Sequence, residues 1–539
     1  MRTRTLLHPN PRVTRSARAA TRSTAGMAMT AHGPPPRPLV SWYQLVGLTF
    51  FAVCGGDYGI EDTVGAAGAR LTLLGLLLLP WVWSLPIALM TAELSAMIPE
   101  AGGYVVWVHR AFGPFWAHHN AMWNLVSNAF DNALYPVMFV DYLHYFPAFR
   151  RLAFVKRWLL SLSMLASVTG LNLLGVDVVA SASTIFAALV ISPFGALVVA
   201  GLPSLDPSAW MTPSERPIKW GTFLSVLLWN TSGYDSVGAL AAEVKRPGRD
   251  FPRAMIATIL LVTLVYVLPL SVAISLDSSQ LSKWTDGHFT RVAQEHVRGH
   301  TPLEPARSFT PCAFGGPADA CLRHPASEES MPPLVLLPCL LSLTASRVCR
   351  CAAAEQVGDW LSAWISLGGA LSAVGLLNTL LCTAARVCVS AARIKVLPSC
   401  LAKLDDRGLP RRATLAISVV LAFACALPFS ELVSISMLFY GVTTAIEFLA
   451  LVKLRYSEAQ TPRPFRIPIG RWWLPLACAP PILLCMLLVA LAPVEAWVAF
   501  LFATVRAPTC APVTLHSVLA RTPRSGAGSG PRCVTCWWH

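Results

Sequence analysis

The sequence predicts an all-α polytopic membrane protein with about eleven to twelve transmembrane helices. Three observations carry that prediction. Of the 539 residues, 55% are apolar and 13% charged, against about 25% charged in a soluble globular chain. Long apolar runs recur between residues 42 and 492. The alternating pattern with turn signals that marks a β-barrel is not evident.

The first helix is the unusual one. Ala52-Val53-Cys54-Gly55-Gly56-Asp57-Tyr58-Gly59-Ile60-Glu61-Asp62 interrupts an apolar segment that begins near Trp42. Each glycine costs a helix about 1 kcal/mol relative to alanine. Unwound backbone at membrane depth persists only where protein buries it or where it lines a polar cavity, and buried acids there are functional candidates. The segment reads as a broken helix, 42–54 before the break and 60–68 after it. The bland alternative is a glycine-rich loop between two helices.

Ahead of it, residues 1–38 carry Arg2, Arg4, Arg12, Arg15, Arg18, Arg22 and Arg37 and no acid. That composition fits a cytoplasmic basic tail or an organellar transit peptide, and we favour the tail. The second span covers 71–98, with Pro80 and Pro86 inside it and Glu93 near its end. The third covers about 114–146. Asn124, Asn128, Asp131 and Tyr135 recur there at spacings of four, three and four, which puts them on one helix face. Such a stripe faces a cavity or bonds a neighbouring helix.

Spans four and five cover 157–175 and 177–201. The sixth, 219–243, is interrupted at Trp229-Asn230-Thr231-Ser232-Gly233-Tyr234-Asp235. Two interrupted segments at corresponding positions point to inverted repeats with a binding site at their interface. Helices seven to eleven are expected at 254–276, 358–383, 413–428, 431–452 and 473–492, with a partial twelfth at 494–505. The domain organisation is therefore a tail (1–38), a core of helices one to seven (39–290), an insert (291–356), helices eight to eleven and a partial twelve (357–505), and an atypical tail (506–539).

The net charge of +14 is not a nucleic-acid signature, because the basic residues lie mostly between apolar segments. Lys245, Arg246, Arg249 and Arg253 follow helix six, Arg386 to Arg412 follow helix eight, and Lys453 to Arg471 follow helix ten. The positive-inside rule puts these loops and the N-terminus in the cytoplasm; Arg150, Arg151, Lys156 and Arg157 dissent. The expected location is the plasma membrane, with an organellar membrane as the alternative. The 15 cysteines are scattered, and those in apolar runs, such as Cys382, Cys425 and Cys485, act as small hydrophobes. Cys533 and Cys536 have no second pair or histidine box beside them, so no metal or cofactor is expected.

Several motifs go further. Thr91-Ala92-Glu93-Leu94-Ser95-Ala96-Met97-Ile98-Pro99-Glu100-Ala101-Gly102-Gly103-Tyr104 and Glu243-Val244-Lys245-Arg246-Pro247-Gly248-Arg249-Asp250-Phe251-Pro252-Arg253-Ala254, with the glycine-broken first helix, resemble the amino acid–polyamine–organocation superfamily. Gly55 to Val64, Asp131-Asn132-Ala133-Leu134-Tyr135-Pro136, Trp229 to Ser236 and Arg463-Pro464-Phe465-Arg466-Ile467-Pro468 resemble its polyamine uptake transporters of plants and trypanosomatids. The resemblance spans about 41–290 and 357–492. It implies a LeuT-like fold of five-plus-five inverted repeats and proton-coupled import of putrescine and spermidine.

The chain departs from that pattern at Asp57, where plant members tend to carry proline. It departs again in residues 296–356, which split family-like sequence and read as an exoplasmic loop or a retained intron, and after about 504. Some relatives use a lysine in helix five for coupling, and none stands between 177 and 201.

A polyamine site needs separated anions or carbonyls, aromatic faces for cation–π contact and an apolar wall for the methylenes. Asp57, Glu61 and Asp235 are the expected cation acceptors, and Trp229 and Tyr234 the stacking faces. Carbonyls freed at Gly55-Gly56 and at Ser232-Gly233 would accept further ammonium hydrogens, with Asn230 beside them and Tyr58 a further aromatic face. Asn128, Asp131 and Tyr135 would form the opposite wall. Glu61 and Glu93 are candidates for the coupling proton; the structural alternative for Glu93 and Glu243 is pairing with nearby Arg or Lys.

The closest rival substrate is a cationic or neutral amino acid, whose carboxylate would bind backbone N–H groups at a half-helix start. A non-transporting sensor or disabled paralogue stays open. An intramembrane aspartyl protease does not fit, because Cys54 stands where its first glycine belongs and the two aspartate motifs are reversed in order. The chain is not expected to be an enzyme.

Overall fold

The computed structural model describes residues 39–143, 146–214, 216–278, 281–285, 287–299, 347–427 and 429–506. The tails, most of the insert and the Cys533–Cys536 pair lie outside them. Among the described residues the structure is a helical bundle without a named strand. Six helical stretches are long and apolar enough to cross a membrane, and shorter apolar helices occur at Trp42–Val53, Trp220–Trp229 and Val494–Val505. The chain is a multi-pass membrane protein.

Helix α1 (Trp42–Val53) ends where Cys54 turns to extended backbone, and Gly56 and Gly59 take positive φ in the break that follows. Helix α2 (Glu61–Leu79) starts with two acids in its first turn, the favoured charge at the positive end of a helix. Gly68, at φ +81°, kinks it, which separates the second half of the broken helix from the next span. A π-turn at Pro80–Ser84 leads into α3 (Leu85–Met97). The missing proline N–H loosens the helix there. The turn aims Trp83 and Ser84 at the break in helix six: Trp83 Nε1 donates to Ser232 Oγ at 3.1 Å and Ser84 Oγ to the Thr231 carbonyl at 3.1 Å.

Helices α4 (Tyr104–Phe112), α5 (Pro114–Leu143), α6 (Phe154–Asn172) and α7 (Val176–Gly201) follow. Helix six is α8 (Trp220–Trp229), an unwound stretch, and a 3-10 helix at Ser236–Glu243. Then come α9 (Pro247–Leu276), α10 (His288–Gly299), α11 (Arg347–Arg393), α12 (Arg411–Ala424), α13 (Phe429–Ser457), α14 (Leu474–Leu491) and α15 (Val494–Arg506). Helix α11 is the central post and packs against α5, α7 and α10. Its apolar window is 83% buried, against 28% for the peripheral α14. Outer helices turn Leu77, Leu78, Ile185, Leu189, Leu260, Leu264 and Leu483 outward, the surface a lipid chain accepts.

Two helices run past the ends expected from sequence. α11 continues from 383 to Arg393 and α13 from 452 to Ser457. Arg386 and Arg455 in these extensions are buried in ion pairs and do not mark loops. Arg386 donates to both carboxylate oxygens of Glu243, at 2.5 and 2.9 Å. Arg455 grips Glu93 in the same two-pronged way, and Arg463 Nε lies 3.2 Å from Glu93. A third pair, Arg110 with Glu458, is more exposed. At this same end the chain entering α1 is stapled to helix six: the Leu39 and Val40 amides donate to the Glu243 carbonyl, and the Lys245 amide to the Val40 carbonyl.

Candidate functional site: a carboxylate-lined cavity between the two helix breaks

The two breaks touch. A β-carbon on Gly233 would lie 2.1 Å from the Ala52 carbonyl, and its φ is +99°, so only glycine lets the chains approach this closely. Around this contact lies a cavity. The first break contributes Gly55 and Tyr58, the second Trp229, Asn230, Gly233 and Asp235, α5 Asn124, Asn128, Asp131 and Tyr135, and α13 Ser436 and Tyr440. Among the described residues no Lys, Arg or His lines it.

Two carboxylates stand in the wall of this space, Asp131 from α5 and Asp235 from the helix-six break, each oriented by aromatic donors. Asp131 accepts from Trp229 Nε1 at 3.0 Å and from Tyr135 Oη at 3.1 Å. Asp235, 2% exposed, accepts from Tyr440 Oη at 2.7 Å. That hydroxyl in turn accepts from the Gly233 amide at 3.2 Å. Asn128 Nδ2 donates to Tyr104 Oη at 3.0 Å. Tyr266 Oη donates to Asn230 Oδ1 at 3.0 Å, and Asn230 Nδ2 reaches the Gly59 carbonyl at 3.1 Å, tying the breaks together.

The remaining residues singled out from sequence lie elsewhere. Gly56, Asp57, Glu61, Tyr234 and Glu93 do not line the cavity. Tyr58 straddles the boundary: its ring lines the cavity while its hydroxyl donates to the Ile365 carbonyl at 2.8 Å. Asp57 is fully buried and neither carboxylate oxygen has a hydrogen-bond partner. Glu61 closes back on its own helix start, accepting from the Gly59 amide at 2.9 Å, and reaches the segment before α10 through the Gly287 amide at 3.2 Å. Glu93 is held by Arg455, Arg463 and the Ile467 amide; this is the pairing that the sequence left as its structural alternative.

Sequence reading missed Tyr104, Ser127, Tyr266, Ser436 and Tyr440 at the cavity wall. Tyr104 closes the quoted Gly102-Gly103-Tyr104 motif, and Tyr440 is a polar group within an apolar run. Both signals were present, without a periodic partner to raise them. The arrangement suits a ligand with separated positive charges: anions at two points, ring faces beside them, and an apolar wall from Ala52, Val53, Met138, Leu376 and Leu380.

Comparison with known proteins places the chain in a family. The chain is 31% identical over 462 residues to a probable polyamine transporter of Arabidopsis thaliana, covering 85% of this chain and 84% of that one. It is 31% identical over 467 residues to a polyamine transporter of Oryza sativa subsp. japonica, covering 86% and 76%. A shorter match, 31% over 199 residues, covers 34% of the chain and 46% of an L-methionine/branched-chain amino acid exporter of Escherichia coli strain K12. The amino acid permease family model matches residues 32–300 and 348–515, and the chain belongs to the amino acid permease family.

Proposed function

We propose that this chain is a secondary transporter that imports polyamines such as putrescine and spermidine, coupled to protons, across the plasma membrane with its N-terminus in the cytoplasm. The observation that carries the reading is the cavity with Asp131 and Asp235 in its wall and no basic side chain beside them. Unneutralised carboxylates in a membrane interior call for a cationic ligand. Trp229 and Tyr440, fixed by their bonds to these acids, offer ring faces to ammonium groups, each contact worth about 0.5–2 kcal/mol. Relatives named as polyamine transporters support the same class.

A free amino acid would need an anion site at a half-helix start. Here Glu61 already takes the Gly59 amide and Tyr440 the Gly233 amide, so one glycine donor in each break is occupied by the protein's own groups. The similarity to an exporter of methionine and branched-chain amino acids keeps an amino acid, cationic or neutral, as the second reading. For the coupling proton, Glu61 is the better of the two sequence candidates, since Glu93 is neutralised by two guanidinium groups.

Uptake of radiolabelled putrescine by cells expressing the chain, competed with spermidine, arginine and leucine at pH 5.5 and 7.5, tests the proposal. Competition by spermidine alone with faster uptake at pH 5.5 is expected. Competition by leucine, or arginine displacing putrescine better than spermidine does, would transfer the assignment to amino acids.

A further inference from the structure

Helix α13 carries an acid that the cavity does not use. Glu447 is 0% exposed and neither of its carboxylate oxygens has a hydrogen-bond partner. Asp57 shares that state, but sits in the unwound segment between α1 and α2. Glu447 sits within a continuous helix, Phe429–Ser457, whose backbone groups are committed to the helix itself. An orphaned buried polar group costs about 1–3 kcal/mol, and an ionised one several more. Apolar side chains would stabilise this position better.

The neighbours of Glu447 suggest its use. Thr444, 0% exposed, also has an unpartnered hydroxyl, and Tyr440 bonds to Asp235. Tyr440, Thr444 and Glu447 are spaced by four and three and lie on one helix face, a stripe of hydroxyls running from a cavity carboxylate to the buried acid. The titratable groups within electrostatic reach are Asp235 of the helix-six break, Tyr104 of α4, Tyr440 of α13 itself and Cys485 of α14. Among the described residues no Lys, Arg or His forms an ion pair with it. Glu447 does not line the cavity, so an alkylammonium chain has no room to reach it, while a proton has.

Resting on the reading that the cavity carries a cation, we propose that Glu447 takes up the coupling proton, reached through Tyr440 and Thr444. One O–H bond forms on a Glu447 oxygen with a proton from the solution outside. The same bond breaks when the opposite side opens and water accepts the proton. A bound dication neutralises Asp131 and Asp235 but leaves Glu447 charged, and closing the bundle around a lone buried charge is costly. Substrate and proton therefore cross together.

The test uses the full chain in lipid vesicles with the membrane potential clamped at zero, pH 7.5 inside and 5.5 outside, and labelled putrescine as the probe. One coupled proton supports accumulation of up to about a hundredfold across two pH units. Glu447→Gln, which mimics the neutral acid, is expected to retain putrescine counterflow while its accumulation ratio falls to about one. Accumulation equal to wild type, or loss of counterflow along with accumulation in a correctly inserted variant, would overturn the assignment. If the glutamine variant does not reach the membrane, Glu447→Asp decides: a displaced pH–uptake profile supports the proposal and an unchanged one overturns it. If the wild type itself moves no putrescine in either assay, the polyamine reading falls and this inference falls with it.

Discussion

Asp235→Asn isolates charge from shape at the centre of the cavity. The substitution keeps the side chain's size and an oxygen to accept from Tyr440 Oη, now at 2.7 Å, so that bond, worth about 1 kcal/mol, survives. What disappears is attraction for an ammonium group. At about 4 Å and an effective dielectric constant of about 20 that attraction is about 4 kcal/mol, or on the order of a thousandfold in kcat/KM. The carboxylate is 2% exposed, so solvent screening does not erase the effect. The assay is initial-rate putrescine uptake, normalised to the amount of protein at the membrane. A fall smaller than about fivefold, the worth of a solvent-exposed ion pair, would refute the placement of a substrate ammonium at Asp235.

Other perturbations test the frame around the site. Gly233→Ala puts a methyl 2.1 Å from the Ala52 carbonyl at φ +99°; strain of about 1–3 kcal/mol or more should abolish uptake, whereas Gly195→Ala, whose β-carbon meets nothing within 4 Å, should be silent in the same transport assay. Arg386→Leu strands the Glu243 carboxylate and should cost about 3–5 kcal/mol of stability, most of it recovered when Glu243→Leu is added; thermal melts in detergent showing simple additivity would contradict a buried pair. The hydrogen bonds from Arg110 hold the Glu458 carboxyl below the usual glutamate range. Its contribution is therefore complete above about pH 4.3 and is lost only as pH falls through the lowered value. Glu458→Gln should leave the shape of the uptake profile between pH 5.5 and 7.5 unchanged, and a displaced profile would show that this pair titrates there.

Sequence made the helix breaks legible because glycine announces them: Gly55, Gly56 and Gly59 in helix one and Gly233 in helix six stand where the backbone leaves helical geometry or takes positive φ. The polar stripe of α5 was legible for a similar reason, since spacings of four and three fix a common face, and Asn124, Asn128, Asp131 and Tyr135 all reach the cavity wall. Three things were not. The ends of α11 and α13 were placed early because an arginine in sequence reads as a loop, while Arg386 and Arg455 are neutralised by acids 143 and 362 residues away. Side-chain direction in an unwound stretch follows no helical period, so nothing local told that Gly55 and Tyr58 line the cavity while Asp57 and Glu61 do not. Tyr440 and Glu447 each stood alone in an apolar run, and only packing against the helix-six break gives them meaning.

The staple that joins Leu39 and Val40 to Glu243 and Lys245 also sets an order of events during biosynthesis. Its two segments are separated by about two hundred residues, which a ribosome working at about 5–20 residues per second needs roughly 10–40 s to make. Through that interval the first helix waits in the bilayer without the partner that covers its unwound stretch, and Asp57 and Glu61 wait with it. The newborn chain therefore holds this polar turn without its helix-six cover until helix six arrives.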